Sequence, residues 1–246
     1  MNFENLPRID AEDKDAAQMV VKFLPEAPVI LEAGACDAED TIRFKSIWPN
    51  ATIYCFEPNP NLFRIASRNI ASPPAGFAVP ENMDSVHIYN RALSDTAGKK
   101  TFYDSDFPAT SSFFPTNFED VVIPESILSS LKMKSKDDMI RYPERAITVE
   151  AVTIDGWRKE EGVGPIDYMW LDVEGAELLA LKGAIETLKT VKVLYVEYSF
   201  QQFRKGWGLF NELYEFIVSQ GFKIHVLWQC HDNWNGNAIF TKEVEA

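Results

Sequence analysis

The stretch Trp170-Leu-Asp-Val-Glu-Gly-Ala-Glu177 decides the fold, because an apolar run at 166–171 ends in acidic residues there and a segment with helical periodicity begins at 176–188. A buried strand that leads directly into a helix is the unit of an α/β domain. Strand alternation points Asp172 and Glu174 to the same side as the strand leaves the core. Such carboxylates can hold an ammonium group, orient a substrate hydroxyl or bind a hard metal ion.

Short apolar runs alternate with helix-period segments along most of the chain. Connections through helices predict a parallel sheet with helices on both faces, while the short polar segment 229–237 predicts an antiparallel final pair. We expect one domain over 1–246, with a core at 28–98 and 148–246 and an irregular insertion at 99–147 that carries extra strands and a cover. Strands are predicted at 29–31, 52–56, 86–89, 166–171, 191–196, 223–228 and 238–241, and helices at 40–48, 61–70, 176–188 and 209–219.

The composition is that of a globular protein, with 246 residues, 46% hydrophobic and 25% charged. A net charge of −13 at pH 7 disfavours nucleic acid and anionic membranes as partners. An odd number of cysteines without a CxxC pair indicates a reducing compartment, and residues 1–15 do not resemble a signal peptide. Without an apolar run of about 18 residues, membrane insertion is not expected, and we predict a cytoplasmic protein of undetermined oligomeric state.

The loop after the first predicted strand, at 32–37, carries the first candidate binding residues. Gly34 permits a tight turn and a close approach of a ligand to the backbone. The later glycines of a GxGxxG dinucleotide motif are absent, and Asp37 and Asp40 would repel a pyrophosphate. A cationic cofactor without phosphate, such as S-adenosylmethionine, fits better, and an ordinary strand-to-helix turn is the alternative. The predicted cofactor-binding residues here are Glu32, Gly34, Ala35, Asp37 and Thr41.

Glu57 ends the second predicted strand, 23 residues after Gly34. In folds of this kind a carboxylate at this place accepts hydrogen bonds from both hydroxyls of an adenosine ribose. A glutamate that only caps a strand before proline is the alternative. Further predicted cofactor contacts are Pro58, Asp172 and, beside the adenine, Asn90, Ala92 and Ser94.

These segments together resemble the FkbM family of S-adenosylmethionine-dependent methyltransferases, and the resemblance covers 29–222. It implies a Rossmann-like class I methyltransferase fold, with a seven-stranded, mostly parallel sheet whose last strand is antiparallel. It also implies O-methylation of a hydroxyl on a sugar, a glycan or a small-molecule metabolite. Ala38 departs from the family, since many relatives have glycine there. The matching segments are Glu32-Ala-Gly-Ala35, Phe56-Glu-Pro58, Ala92-Leu-Ser-Asp95, Leu171-Asp-Val-Glu-Gly-Ala-Glu177 and Leu181-Lys-Gly-Ala184.

The resemblance also suggests residues for the acceptor and for a metal. Ser111 and Ser112 match a serine element of the family's variable middle and are expected to line the acceptor site. A more distant likeness to catechol O-methyltransferase-like enzymes suggests that Asp172 and Glu197 share a divalent cation such as Mg²⁺. Direct binding of substrate hydroxyls and of the cofactor amine by these two carboxylates is the alternative.

An alcohol acceptor must lose a proton, and the candidate catalytic residues are Asp172, Glu174, Glu197 and His231. His231 is chosen over His225 because it falls in a predicted loop, whereas His225 falls inside a strand. Two other functions stay open: a non-catalytic binding module that keeps the cofactor fold, and an NAD-dependent oxidoreductase, which the missing glycines disfavour. Cofactor binding separates methyltransferase from oxidoreductase, and turnover separates enzyme from binding module.

Overall fold

The computed structural model describes residues 13–74, 83–106, 110–117, 125, 128, 144–231 and 235–243. The strands, in chain order, are β1 Val29–Ala33, β2 Thr52–Phe56, β3 Val86–Tyr89, β4 Ala92–Leu93, β5 Gly98–Ser105, β6 Glu144–Val152, β7 Tyr168–Leu171, β8 Val193–Ser199, β9 Lys223–His231 and β10 Asn235–Thr241. The α-helices include α1 Asp13–Val20, α2 Glu39–Ile47, α3 Pro60–Ala71, α4 Ile154–Glu161, α5 Glu177–Lys182 and α6 Phe210–Ser219.

Seven strands form one sheet in the order β3-β2-β1-β7-β8-β10-β9. The pairs from β3 to β8 are parallel, and β10 runs antiparallel to both β8 and β9. The predicted fold class is therefore confirmed, including the antiparallel last strand. This order brings the carboxyl ends of β1, β2 and β7 side by side at one edge, on either side of the point where the strand order reverses.

Each face of the sheet is covered by helices, because strand alternation sends apolar side chains to both sides. Ile30 and Trp170 pack on the same side as Phe44 of α2, with buried residues of α1 in the same cluster. Leu31 and Leu171 pack on the opposite side, together with buried residues of α4, α5 and α6. Glu32 lies on the same side of β1 as Ile30, the side that α2 covers.

Three helical features differ from the sequence prediction. The helices α1 and α4 were not predicted, and α4 buries only Ile154 and Trp157, too few residues for a clear periodicity. The predicted helix 176–188 divides into α5 and a 3₁₀ turn at Thr187–Lys189. The division falls at Gly183, where an added Cβ would lie 2.1 Å from the carbonyl oxygen of Ser94, so the backbone packs too closely there for any side chain.

A second sheet, in the order β4-β6-β5, lies partly in the region predicted as an insertion. Strands β5 and β6 form a long antiparallel pair, and β4 adds to β6 in parallel. Within the described residues no helix is both long and apolar enough to cross a membrane. The segment 110–117 lies between β5 and β6 in the chain and pairs with β5 through a bridge between Tyr103 and Ser112.

Candidate cofactor and acceptor cleft

A cleft with about 410 Å³ of empty volume lies at the carboxyl ends of β1, β2 and β7. A second cavity of about 290 Å³ adjoins it, since four residues line both: Gly34, Pro58, Phe102 and Val173. The other residues around the cleft are Cys36, Glu57, Leu62, Ser111, Asp172 and Glu174. Those around the second cavity are Ala33, Phe56, Arg91, Ala92, Leu93, Phe113 and Ala176.

Gly34 forms the floor of the cleft in a conformation that only glycine adopts easily, with φ of +87°. A Cβ added there would lie 1.9 Å from the carbonyl oxygen of Asp172. The amides of Gly34 and Ala35 both donate to the carbonyl oxygen of Phe56 at 3.0 Å. The predicted glycine turn therefore joins the loop after β1 to those after β2 and β7, although Ala35 itself is buried and does not line the cleft.

Glu57 lies at the end of β2 with its carboxylate fixed by two backbone amides. The amide of Cys36 donates to Oε2 at 2.9 Å and that of Asn59 donates to Oε1 at 2.8 Å. Burial raises the pKa of Glu57 to about 7, although both amide hydrogen bonds favour the ionised form. Each carboxylate oxygen can accept a second hydrogen bond, so Glu57 retains the capacity to hold a diol.

Glu32 does not reach the cleft, although it was predicted to bind the cofactor. Its position on β1 directs it to the side of the sheet that α2 covers, where the Thr41 hydroxyl donates to Oε2. Both side chains are buried. Burial, and to a smaller extent the charge of Asp40, raise the pKa of Glu32 to about 8. In this structure the hydrogen bond between Thr41 and Glu32 joins α2 to the end of β1, just before the loop that carries Gly34.

The remaining predicted cofactor residues divide into those at a cavity wall and those beside it. Pro58 and Ala92 line the cavities. Asp37 is exposed and accepts from the amide of Glu39 at the start of α2. The side-chain amide of Asn90 donates to the carbonyl oxygens of Glu57 and Pro58, which fixes the end of β2, and Ser94 is buried.

Four carboxyl groups lie near one another on the side of β7 and β8, those of Asp172, Glu174, Glu177 and Glu197. Asp172 and Glu174 line the cleft, but β7 ends at Leu171 and Glu174 has a φ of +54°, so a turn and not strand alternation brings Glu174 to the wall. Glu177 is buried and accepts from the amides of Val173 and Gly175, so it fixes this turn.

The pKa values of the buried carboxyls here are raised. Burial raises the pKa of Glu177 to about 7. Burial also raises the pKa of Glu197 well above its usual range, and the charges of Glu174 and Asp172 raise it further. Glu197 lies on β8, where its Oε1 accepts from Asn235 at 3.1 Å, and it is not among the residues around the cleft. A buried carboxyl close to other acids favours its protonated form.

Ser111 lines the cleft, as predicted for an acceptor residue, but Ser112 does not. The Ser112 hydroxyl is buried and donates to the carbonyl oxygen of Glu174 at 2.7 Å. Beside it lies Arg204, which the sequence prediction missed. Its guanidinium is 1% exposed and forms an ion pair with Glu144 at 2.9 Å. A lone arginine between two predicted elements carries no sequence signal for such a position.

Comparison with known proteins gives the family. A model of the methyltransferase FkbM domain matches residues 32–224, which contain β2 through β8 and every residue of the cleft. The chain belongs to the FkbM methyltransferase family. It is 30% identical over 179 residues to 2-O-methyltransferase NoeI from Sinorhizobium fredii (strain NBRC 101917 / NGR234), covering 73% of this chain and 66% of that protein.

A second relative is the methyltransferase sdnD from Sordaria araneosa, which is 29% identical over 181 residues, covering 66% of this chain and 62% of that protein. The matched segment thus spans less than two thirds of either relative. Among solved structures, a putative rRNA methylase from Clostridium thermocellum superimposes with a TM-score of 0.51 at 7% identity, over 97% of this chain and 100% of that chain. This likeness supports the fold alone.

Two predicted features of the FkbM chain receive no support. Among the described residues there is no group of three or more His, Cys, Asp or Glu side chains that could hold a metal ion, so the Mg²⁺ site at Asp172 and Glu197 stays a prediction.

His231 was predicted to lie in a loop, but it is the last residue of β9 and pairs with Asn235. The predicted loop is shorter because the two final strands extend toward each other. The His231 side chain lies outside the described residues.

Proposed function

We propose that this chain is an S-adenosylmethionine-dependent O-methyltransferase that acts on a hydroxyl of a sugar, a glycan or a small-molecule metabolite. The observation that carries the proposal is Glu57, which lines the cleft beside Gly34 with both carboxylate oxygens aligned by backbone amides. This arrangement suits the two hydroxyls of a ribose. Membership in the FkbM family and the likeness to a 2-O-methyltransferase support methyl transfer to oxygen.

The charges of the cleft favour a cationic cofactor over a dinucleotide. The described residues around it include three carboxylates, Glu57, Asp172 and Glu174, and no lysine, arginine or histidine. Arg91 lines the second cavity, whereas the charged groups of the cleft itself are carboxylates, which would repel a pyrophosphate placed there. The sulfonium and ammonium groups of S-adenosylmethionine would instead be attracted by Asp172 and Glu174, and the aromatic rings of Phe102 and Phe113 at the second cavity suit an adenine.

When bound, S-adenosylmethionine supplies a methyl group already activated by its sulfonium. The protein therefore has two tasks: to align an acceptor hydroxyl and to accept its proton. Alignment of reacting groups can supply roughly 7–11 kcal/mol of the rate enhancement. Asp172 and Glu174 are the carboxylates at the cleft wall that can accept a proton, which contributes typically ~10²–10⁴-fold. Ser111 lies at the same wall and can bind the acceptor.

The test is calorimetric titration with S-adenosylhomocysteine, with and without Mg²⁺. We expect a Kd of about 1–10 μM and its loss in Glu57→Ala. Glu186→Ala removes an exposed glutamate that pairs only with Lys189 among the described side chains and serves as the control. Binding of NADH in preference to S-adenosylhomocysteine, or no binding of either compound, would contradict the proposal.

A second experiment, an activity assay, distinguishes a methyltransferase from a non-catalytic binding module. Wild-type protein with S-adenosylmethionine and a panel of monosaccharides, oligosaccharides and phenols is assayed for formation of S-adenosylhomocysteine. We expect turnover with at least one hydroxyl compound and its loss in Asp172→Asn at a saturating cofactor concentration, which offsets weaker cofactor binding by this variant. Tight S-adenosylhomocysteine binding without turnover on any hydroxyl compound would favour the binding module.

A further inference from the structure

The buried guanidinium of Arg204 connects three separate parts of the chain. Nη1 donates to the carbonyl oxygen of Phe114 at 2.9 Å and to the Glu144 carboxylate at 2.9 Å, and Nη2 donates to the carbonyl oxygen of Thr110. On its other side, Nε lies 3.8 Å from Oε2 of Glu174 in the cleft wall. One side chain thus contacts the 110–117 segment, the start of β6 and the loop after β7.

The backbone around Arg204 reinforces this connection. Thr116 and Arg204 form an antiparallel bridge, and the amide of Asn117 donates to the carbonyl oxygen of Phe203 at 2.7 Å. The amide of Lys205 donates to the carbonyl oxygen of Pro115 at 2.9 Å. The 110–117 segment is therefore docked along the loop that follows β8, with the guanidinium between them.

A fully buried guanidinium is costly unless its charge and its donors are satisfied. Glu144 supplies the charge, and it also accepts from the amide and hydroxyl of Thr116. The Arg204 Nε has no hydrogen-bond partner among the described residues, and the charged group that faces it is Glu174. This remaining donor is thus directed toward the carboxylate at the cleft wall.

We propose that Arg204 is a positioning residue of the cleft, which docks the 110–117 segment, and with it Ser111, at the cleft and holds the Glu174 side chain at the wall. This inference rests on the proposed function, because it concerns the acceptor side of the same cleft. A planar guanidinium can bind all four partners at once, whereas the single ammonium of lysine cannot.

Docking is tested first, on the protein without ligand, by hydrogen–deuterium exchange. In Arg204→Lys we expect the amides of 110–117 to exchange about tenfold faster or more, while β1 and β2 exchange as in wild type. Arg145→Lys is the matched control, since Arg145 follows Glu144 on β6, is exposed and pairs with Asp104 and Asp106 at the end of β5. Unchanged exchange at 110–117 in Arg204→Lys would overturn the proposal.

The contact with Glu174 is tested by a double-mutant cycle on S-adenosylhomocysteine affinity. We expect Arg204→Lys and Glu174→Gln each to weaken binding by about fivefold and the double variant to be no weaker than the worse single variant. Arg145→Lys should combine additively with Glu174→Gln. Additive losses for Arg204 would overturn its role toward Glu174, because a general loss of stability gives no such coupling.

Two provisions keep these results interpretable. If Arg204→Lys does not fold, Glu144→Gln removes the paired charge from the other side, and the same faster exchange at 110–117 is expected. If wild-type protein does not bind S-adenosylhomocysteine, the proposed function fails, while the exchange experiment still decides whether Arg204 docks the segment.

Discussion

The two sides of the cleft are built differently. On the side of β1 and β2, the side chains of Glu32, Glu57 and Asn59 contact groups 2 to 45 positions away. On the side of β7 and β8, Arg204 donates hydrogen bonds to groups 60 to 94 positions away. The side proposed for the cofactor is therefore held by contacts of shorter range in the sequence, and the side proposed for the acceptor depends on a segment between the two halves of the predicted core.

The largest expected effect comes from Gly34, where the two sides touch. In Gly34→Ala the methyl group would need the space of the Asp172 carbonyl, and φ is unfavourable as well. We expect a loss of about 4 kcal/mol in the free energy of unfolding and no measurable S-adenosylhomocysteine binding. Urea unfolding and calorimetry measure the two effects.

Gly164→Ala is the control, since an added Cβ there meets nothing within 4 Å. A Gly34→Ala protein with wild-type stability and affinity would mean that the loops after β1 and β7 are not in contact as described.

The difference between the two sides of the cleft also explains which features could be predicted from the sequence. The fold class and the turn at Gly34 follow from apolar runs and a glycine within short windows. The position of Glu57 at the cleft follows from its strand end. Glu32 was predicted to bind the cofactor because it also lies at a strand end, but side chains alternate along β1 and that of Glu32 points toward α2. A shift of one residue along a strand therefore decides whether a side chain points into the cleft or packs under a helix.

The acceptor side was predicted less completely for a physical reason. Glu174 reaches the wall through a turn with positive φ, which no pattern of apolar residues specifies. Arg204 acquires its role only when the 110–117 segment docks beside it, through contacts far apart in the sequence. Such contacts leave no periodicity, so a single sequence cannot indicate them.

The second prediction concerns Glu32 and stability against pH. Its pKa is about 8 in the folded protein and near the ordinary glutamate value when unfolded, so the folded state binds an extra proton between these values. The free energy of unfolding therefore falls as pH rises from about 4.5 to 8, by an amount on the order of 4 kcal/mol from this group. Glu32→Gln should remove that part of the decline.

Thermal unfolding from pH 5 to pH 8.5 measures this effect. Relative to wild type, Glu32→Gln should gain stability progressively as pH rises, whereas the exposed Glu39→Gln should follow the wild-type profile. Parallel profiles for all three proteins would contradict the buried, raised-pKa carboxyl at position 32.

The third prediction uses Glu57, whose pKa is about 7. Only the ionised carboxylate can accept hydrogen bonds on both oxygens from ribose hydroxyls, so S-adenosylhomocysteine affinity should rise as pH increases through 7. Between pH 6 and pH 8 we expect a change of about tenfold. Glu57→Gln should bind weakly with little pH dependence, while exchange at 110–117 remains as in wild type, because the described hydrogen bonds of the Glu57 carboxylate are to the amides of Cys36 and Asn59, outside that segment. Faster exchange at 110–117 in this variant would contradict that independence.

The smallest expected effect comes from Ala38, the residue before α2. Its φ of +69° costs an alanine about 1–2 kcal/mol, which glycine would recover. Its methyl group is fully buried, however, and contributes about 0.8 kcal/mol, while glycine loses about 0.5–1 kcal/mol more through unfolded-chain entropy. Because these terms oppose each other, Ala38→Gly should change the free energy of unfolding by less than about 0.5 kcal/mol, whereas Ala38→Val should lose about 2 kcal/mol or more. Urea unfolding at pH 6 distinguishes the cases: a gain of more than about 1 kcal/mol in Ala38→Gly would mean that backbone strain in the cofactor loop outweighs the packing of this methyl group.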